Sequence, residues 1–201
     1  MSKVEIAPKR LTKAEKIVAI ARDCKTRITG HRLLLKRSNG YLVVPKKNLP
    51  VEGSVQKHIC DVEKKCEVCA LGGLLLSTVR LYNKLNFEAF DISRDYYYGN
   101  GEITSQMLGI YETFQLLSKY FDRRALALIE GVFEGRVLQK DSFVKCESLD
   151  EEELEKAQRR VKKYRQDLLK NKRDKYSKNE TLLLGICNNL IKNKGQFVLP
   201  E

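Results

Sequence analysis

The amino-acid sequence predicts a mainly α fold of the α+β type: a helical bundle with a small β-hairpin near residues 33–44 and a long basic helix in its C-terminal part. Three observations carry this. Apolar residues recur at helical spacing along most of the chain. Box-type N-cap sequences occur three times, as Thr12-Lys-Ala-Glu15, Ser148-Leu-Asp-Glu151 and Ser177-Lys-Asn-Glu180. A single Asn39-Gly40 turn separates two apolar, strand-like runs.

Taken in order, Thr12 caps a short amphipathic helix over residues 12–24, with Ile17, Ile20, Ala21 and Cys24 on one face and basic residues on the other. Leu33-Leu-Leu35 and Tyr41-Leu-Val-Val44 flank Ser38-Asn39-Gly40, and a hairpin is expected because primed turns need the positive φ that Gly takes freely. Pro45 to Gly53 reads as a loop. From Cys66 the run CEVCALGGLLLSTVRLYNKL is apolar almost all round, which predicts a central buried helix. Gly72 and Gly73 in that run predict close approach by another backbone.

Residues 103–121 place Met107, Ile110, Tyr111, Phe114, Leu117 and Phe121 at helical spacing, and Asp122 can cap the next helix, RRALALIEGVFEG. Ser148 to Glu151 then opens a basic helix over 150–178, on which Leu154, Ala157, Val161, Tyr164 and Leu168 form one narrow apolar stripe. Ser177 caps a last helix, TLLLGICNNLIKN, ended by Gly195. The chain divides accordingly into 1–147, a helical core with an N-terminal basic helix and the hairpin, and 148–201, the basic helix plus a short helix packing on that core.

Charge points to the class of partner. The 201 residues hold 38 Lys+Arg against 26 Asp+Glu, a formal charge of +12. Residues 1–37 contribute 11 basic and 3 acidic side chains and residues 156–178 contribute 11 and 2, whereas 38–155 are net acidic with 14 and 19. Two basic segments around an acidic middle are the footprint of a polyanion binder, since clustered cations release counterions from phosphates. A solvated helix face is the plainer reading of the same charge. The residues expected to contact DNA or RNA are Arg159, Arg160, Lys162, Lys163, Arg165, Lys170, Lys172 and Arg173, helped by Lys9, Arg10, Lys13 and Lys16. An acidic host protein surface is the alternative partner, with Tyr96, Tyr97 and Tyr98 as aromatic anchors.

Other constellations carry less. His58, Cys60, Cys66 and Cys69 supply four zinc-type ligands in twelve residues, but the two pairs are crowded together where structural zinc sites have a longer loop between them. No cofactor is expected apart from a zinc ion there. The same cysteines would serve a thiol enzyme if a helix N-terminus lowered the pKa of Cys66 or Cys69, with His58 as base. Asp91, Ser93, Asp95, Tyr97 and Glu102 have calcium-loop spacing, yet Tyr96 stands where the sharp turn needs Gly. Phosphate-binding glycine loops, H-E-x-x-H and G-x-S-x-G do not occur, and with two His the chain is expected to be non-enzymatic. No apolar run reaches membrane-spanning length and the first residues are charged, so neither a membrane partner nor export is expected. Oligomeric state is left open.

Three segments, 66–77 (CEVCALGGLLLS), 118–134 (SKYFDRRALALIEGVFE) and 188–200 (NNLIKNKGQFVLP), resemble stretches in small uncharacterised proteins of tailed bacteriophages and prophages. The resemblance implies a phage or prophage origin and action in the cytoplasm of a bacterial host. It carries no functional residues with it, and it admits a nucleic-acid binder as well as an inhibitor of a nucleic-acid-directed host defence, an anti-CRISPR-like role.

Overall fold

Helix α1, Lys13–Thr29, starts where its capping box lies. Glu15 N–H donates to Thr12 Oγ1 (3.2 Å) and Thr12 N–H donates to the Glu15 carboxylate (2.7 Å), so two donors with no partner inside the helix are satisfied reciprocally. In this computed structural model the described residues are 11–36, 42–45, 67–82, 94–98, 102–107, 116–135 and 150–201. They form the expected mainly helical architecture, with α2 at Ala70–Tyr82, α3 at Arg123–Glu134, α4 at Glu151–Lys170 and α5 at Lys178–Lys192. Asp122 caps α3 through Ala125 N–H (2.6 Å), and the helix stops at Gly135, whose φ of 67° is the left-handed conformation that favours glycine. Ser177 and Glu180 cap α5 as a full box.

The basic helix differs from expectation at both ends. Asp150, not Ser148, is its N-cap, accepting from Glu153 N–H at 2.8 Å, and it ends at Asn171 instead of running to 178. Asn171 turns its amide back onto Asp167 O (2.9 Å), and Ser177 opens a new helix. Local side-chain bonding at Asn171 and Ser177 competes with helix continuation, which is why residues 171–177 form a connector.

Among the described residues, five short strands make a sheet in the order β1-β3-β2-β5-β4: β1 at Leu34–Leu35, β2 at Leu42–Pro45, β3 at Glu67–Val68, β4 at Arg94–Tyr98 and β5 at Glu102–Met107. Strands therefore form in both halves of the expected hairpin, but they are not paired with each other. β3 lies between them, parallel to β1 with Leu35 opposite Val68 and antiparallel to β2 with Leu42 opposite Val68. Val68 is wholly buried, so its peptide groups need partners on both edges, and that demand outweighs a local turn preference. The turn residues Asn39 and Gly40 lie outside the described residues, as does the loop 46–53.

The helix expected over 103–121 is corrected in its first part, and residues 108–115, with Ile110, Tyr111 and Phe114, lie outside the described residues. Residues 102–107 are strand β5, antiparallel to both β2 and β4. Ile103, Ser105 and Met107 alternate with a period of two as readily as they fit a helix, and the two flanking strands decide between the readings. Leu116, Leu117 and Phe121 do reach the core. The calcium-loop reading conflicts with the same pairing, since Asp95, Tyr97 and Glu102 stand on two paired antiparallel strands and not in one loop, while Asp91 and Ser93 lie outside the described residues.

The core joins α1, α2, α3 and α5. Ile20, Cys24 and Ile28 of α1, Leu71, Leu74 and Leu75 of α2, Ile129, Val132 and Phe133 of α3 and Leu182, Leu183, Ile186 and Leu190 of α5 are buried together in one cluster. Each such side chain is worth roughly 1.5–3 kcal/mol for full burial. Gly73 is approached by side chains and not by the expected backbone: a Cβ there would lie 3.1 Å from Leu183 Cδ2 and 3.5 Å from Cys24 Sγ, so α2 packs against side chains of α1 and α5 at this point. Helix α4 docks by its predicted stripe, with Ala157 and Val161 buried and Leu154, Tyr164 and Leu168 packed at the edge. Among the described residues, no helix is long and apolar enough to cross a membrane.

Candidate nucleic-acid interface

Helix α4 is basic because only one stripe of it is used for packing, which leaves most of its circumference to polar side chains. The structure divides those cations by what they touch. Arg165 donates to Val132 O and Phe133 O, carbonyls in the last turn of α3 that have no partner within that helix. A Cβ at Gly135 would come within 3.0 Å of Arg165 Nε, so glycine serves both the left-handed stop and the guanidinium beside it. Arg160 donates to Leu199 O and to Pro200 O, the latter at 3.1 Å, and Lys163 donates to Glu201 O. These three side chains fasten the fold.

The other five face outward. Arg159 makes a loose 3.9 Å pair with Glu155, both side chains being about seven-tenths exposed. Lys162, Lys170, Lys172 and Arg173 are exposed, and their side chains have no hydrogen bond or ion pair among the described residues. Arg159 and Lys162 border a groove of about 700 Å³ that runs past Gly135 and Leu169.

The partners expected from the first basic segment are distributed differently. Lys9 and Arg10 lie outside the described residues. Lys13 is exposed at the start of α1, and Lys16 sits over the Tyr82 ring at 5.9 Å. A Cβ at Gly195 would lie 2.8 Å from Ala14 O, while His31 bonds Glu180 (3.2 Å), so α1 and α5 run antiparallel. At 1.5 Å per residue, Lys13 therefore stands about 18 Å along α1 from Lys25.

Lys25 is the cation that joins the two basic segments. It donates to Asn188 Oδ1 on α5 at 2.8 Å and shares a pocket of about 280 Å³ with Arg173. Asn171, Tyr176 and Thr181 also line this pocket, and Leu168, Leu184 and Gly185 give it an apolar floor. Sequence reading passed over Lys25, Tyr176 and Asn188. Each sits alone in its local pattern, and they converge only because α1, α5 and the 171–177 connector meet.

Tyr96, Tyr97 and Tyr98 lie on β4, the edge strand among the described residues, with a register shift between Tyr96 and Tyr97. Of the zinc-type quartet, His58, Cys60 and Cys66 lie outside the described residues. Cys69 is buried immediately before α2, and desolvation pushes its thiol up to about 12 despite hydrogen bonds from Gly72 and Leu71. A neutral thiol is the reverse of the activated thiolate that the enzyme reading needs at Cys69. Cys24 and Cys187 are likewise free and buried; the Cys187 thiol is pushed well up, first by its bond with Cys24 and then by burial.

Compared with family models, with curated proteins and with solved structures, the chain matches none, so its functional reading rests on its own residues.

Proposed function

We propose that the protein is a non-enzymatic nucleic-acid binder, of phage or prophage origin and acting in the host cytoplasm, that holds phosphates on the basic surface of α4 and the connector after it. The observation that supports this reading is the division of labour on α4 and the connector after it. Arg160, Lys163 and Arg165 have carbonyl partners, whereas Arg159, Lys162, Lys170, Lys172 and Arg173 are left outward with at most one weak pair. Exposed cations without protein partners are the groups that exchange condensed counterions for contacts to a polyanion. Such contacts position a chain without reading bases, so sequence preference is weak.

The test is a titration of nuclease-treated protein against single- and double-stranded DNA and RNA at several salt concentrations. About five phosphate contacts on a single strand give a logarithmic salt slope near −3.5, which is roughly a fifty-fold loss between about 50 and 150 mM. A Lys162→Glu, Lys170→Glu, Lys172→Glu variant loses binding while its melting temperature holds. Binding that is flat with salt, or unchanged in the variant, overturns the reading. An acidic protein surface would use the same cations, and a stoichiometric protein partner retained after nuclease treatment would favour it.

A further inference from the structure

We infer that the pocket between α1, α5 and the 171–177 connector receives a single unpaired nucleotide, so that the protein prefers single strands or overhangs to blunt duplex. This deepens the proposed nucleic-acid reading and rests on it.

The chemistry of the lining makes the argument. Two cations converge there, Lys25 and Arg173, and no carboxylate lines the pocket among the described residues. Glu180, next to Thr181 in sequence, has its carboxylate engaged by Ser177 N–H (2.7 Å) and by His31 (3.2 Å). Lys25 spends one of three N–H donors on Asn188 Oδ1, and the Arg173 guanidinium has no partner among the described residues. A phosphate needs such donors and nothing else.

The pocket offers more than donors. Because Asn188 turns its oxygen to Lys25, its NH2 group is left to donate. Asn171 spends its NH2 on Asp167 O, which leaves its oxygen to accept. Thr29 and Thr181 donate their hydroxyls to Thr26 O (3.0 Å) and Ser177 O (2.9 Å), so their oxygens are also acceptors. Donors and acceptors side by side suit the edge of a base or a sugar hydroxyl, which inorganic phosphate would leave unused.

Tyr176 brings an aromatic ring to the lining; the ring is half-buried against the core, with the His31 ring 6.3 Å away and Lys175 Nζ 4.9 Å from its centroid, and a base would stack on it by displacing the flexible Lys175 side chain. Base stacking on an aromatic ring is tolerant of sequence, as weakly specific binding requires. Size and shape decide the strand. About 280 Å³ lies just below the roughly 300–1,000 Å³ of ligand pockets, so it limits the occupant to one nucleotide at most, and a concave pocket reaches a base only when it has left the stack.

The probes are a fluorescein-labelled single strand of about twelve nucleotides, within the usual span of single-strand sites, a blunt duplex of the same length, and that duplex with a short overhang. Anisotropy is read at one salt concentration. We expect the single strand and the overhang to bind about ten-fold tighter than blunt duplex. Tyr176→Leu should weaken single-strand binding about five-fold or more, the worth of one stacked base, with duplex binding unchanged. Asn188→Asp, at an exposed position that does not endanger folding, should do the same by repelling phosphate. Lys162→Glu should weaken every probe alike. Equal binding of single strand and blunt duplex, or a single-strand preference that survives both pocket variants, overturns the pocket inference while the effect of Lys162→Glu upholds the general reading. Binding of none of the probes overturns both.

Discussion

Asn189 pairs with Val198 as a neighbouring strand would: its Oδ1 accepts from Val198 N–H at 2.9 Å and its Nδ2 donates to Val198 O at 2.6 Å. One amide side chain on α5 thereby satisfies both peptide groups of a residue nine positions on. The same amide reaches Tyr164 Oη (3.3 Å), and Tyr164 in turn donates to Gly185 O (3.1 Å). Burial pushes the Tyr164 phenol above its ordinary range, more than the Asn189 bond pulls it down, so it remains a donor. With Phe197 and Leu199 buried beneath, this network lays residues 196–201 along α4, where Arg160 and Lys163 take their carbonyls.

Asn189→Ala should therefore loosen residues 196–201 as a unit. Val198 is exposed, so water can replace the lost partner and the cost is that of ordinary hydrogen bonds, about 0.5–1.5 kcal/mol each, while hydrogen exchange at the Val198 amide should accelerate well beyond that at Leu190. Unchanged protection at Val198 would show that Phe197 and Leu199 hold the segment without the amide.

Helix α4 should separate stability from binding by residue. Arg165→Ala removes charged donors from two α3 carbonyls and should cost about 1.5–3 kcal/mol with little loss of polyanion affinity. Lys162→Glu with Lys172→Glu should leave the thermal midpoint in place and weaken binding. Equal effects of the two variants on both readouts would refute the division of labour.

Gly185→Ala should destabilise the contact of α4 with α5. The new Cβ would run into the Leu168 side chain, and overpacking of this kind costs about 1–3 kcal/mol. Adding Leu168→Ala should recover part of the loss, because the obstacle is that one side chain. A melt in which the double variant is simply the sum of the singles would contradict this geometry.

Native-state alkylation should be slow at Cys24, Cys69 and Cys187 and become fast on unfolding. All three are buried, and Cys69 is held near 12, so almost no thiolate exists at neutral pH. Mapping of labelled peptides after a brief pulse at pH 8 is sufficient, and rapid native labelling of Cys69 would reinstate the thiol-enzyme reading.

Acid should weaken the start of α5 through Glu180. Burial pushes its pKa up, but bonds from Ser177 backbone and side chain, with His31, together outweigh that and hold it below its usual range. The folded value lies below the unfolded one, so this contribution is present above the ordinary carboxylate range and is lost as pH falls through the folded value. Glu180→Gln should flatten that part of the stability profile, at a cost on the scale of a lost cap, about 0.5–2 kcal/mol. An identical acid limb in the variant would assign the pH dependence to other carboxylates.

Much of the helical framework was legible because its determinants are local. Thr12 with Glu15, Asp122 with Ala125 and Ser177 with Glu180 are contacts across three residues that need no distant partner, although at α4 Asp150 caps the helix in place of the expected Ser148. Failures came where a pattern fitted two periods or where a partner was distant. Residues 103–107 satisfied both helix and strand spacing, and only the neighbours β2 and β4 selected the strand. Asn39-Gly40 announced a hairpin, but β3, some thirty residues on from β1, took the place between the two strands.

By itself the sequence determined that this is a mainly helical protein, where most of its helices begin, which stripe of α4 packs, and that cations gather in two segments. Periodicity, capping and charge are properties of neighbours along the chain. Tertiary structure alone decided which of those cations are free. Arg160 and Arg165 find their carbonyls 32 to 40 residues away, and Lys25 meets Asn188 across 163. Contacts at such separations depend on how the helices pack, so composition yields the amount of charge and only packing divides it into fasteners and an open surface.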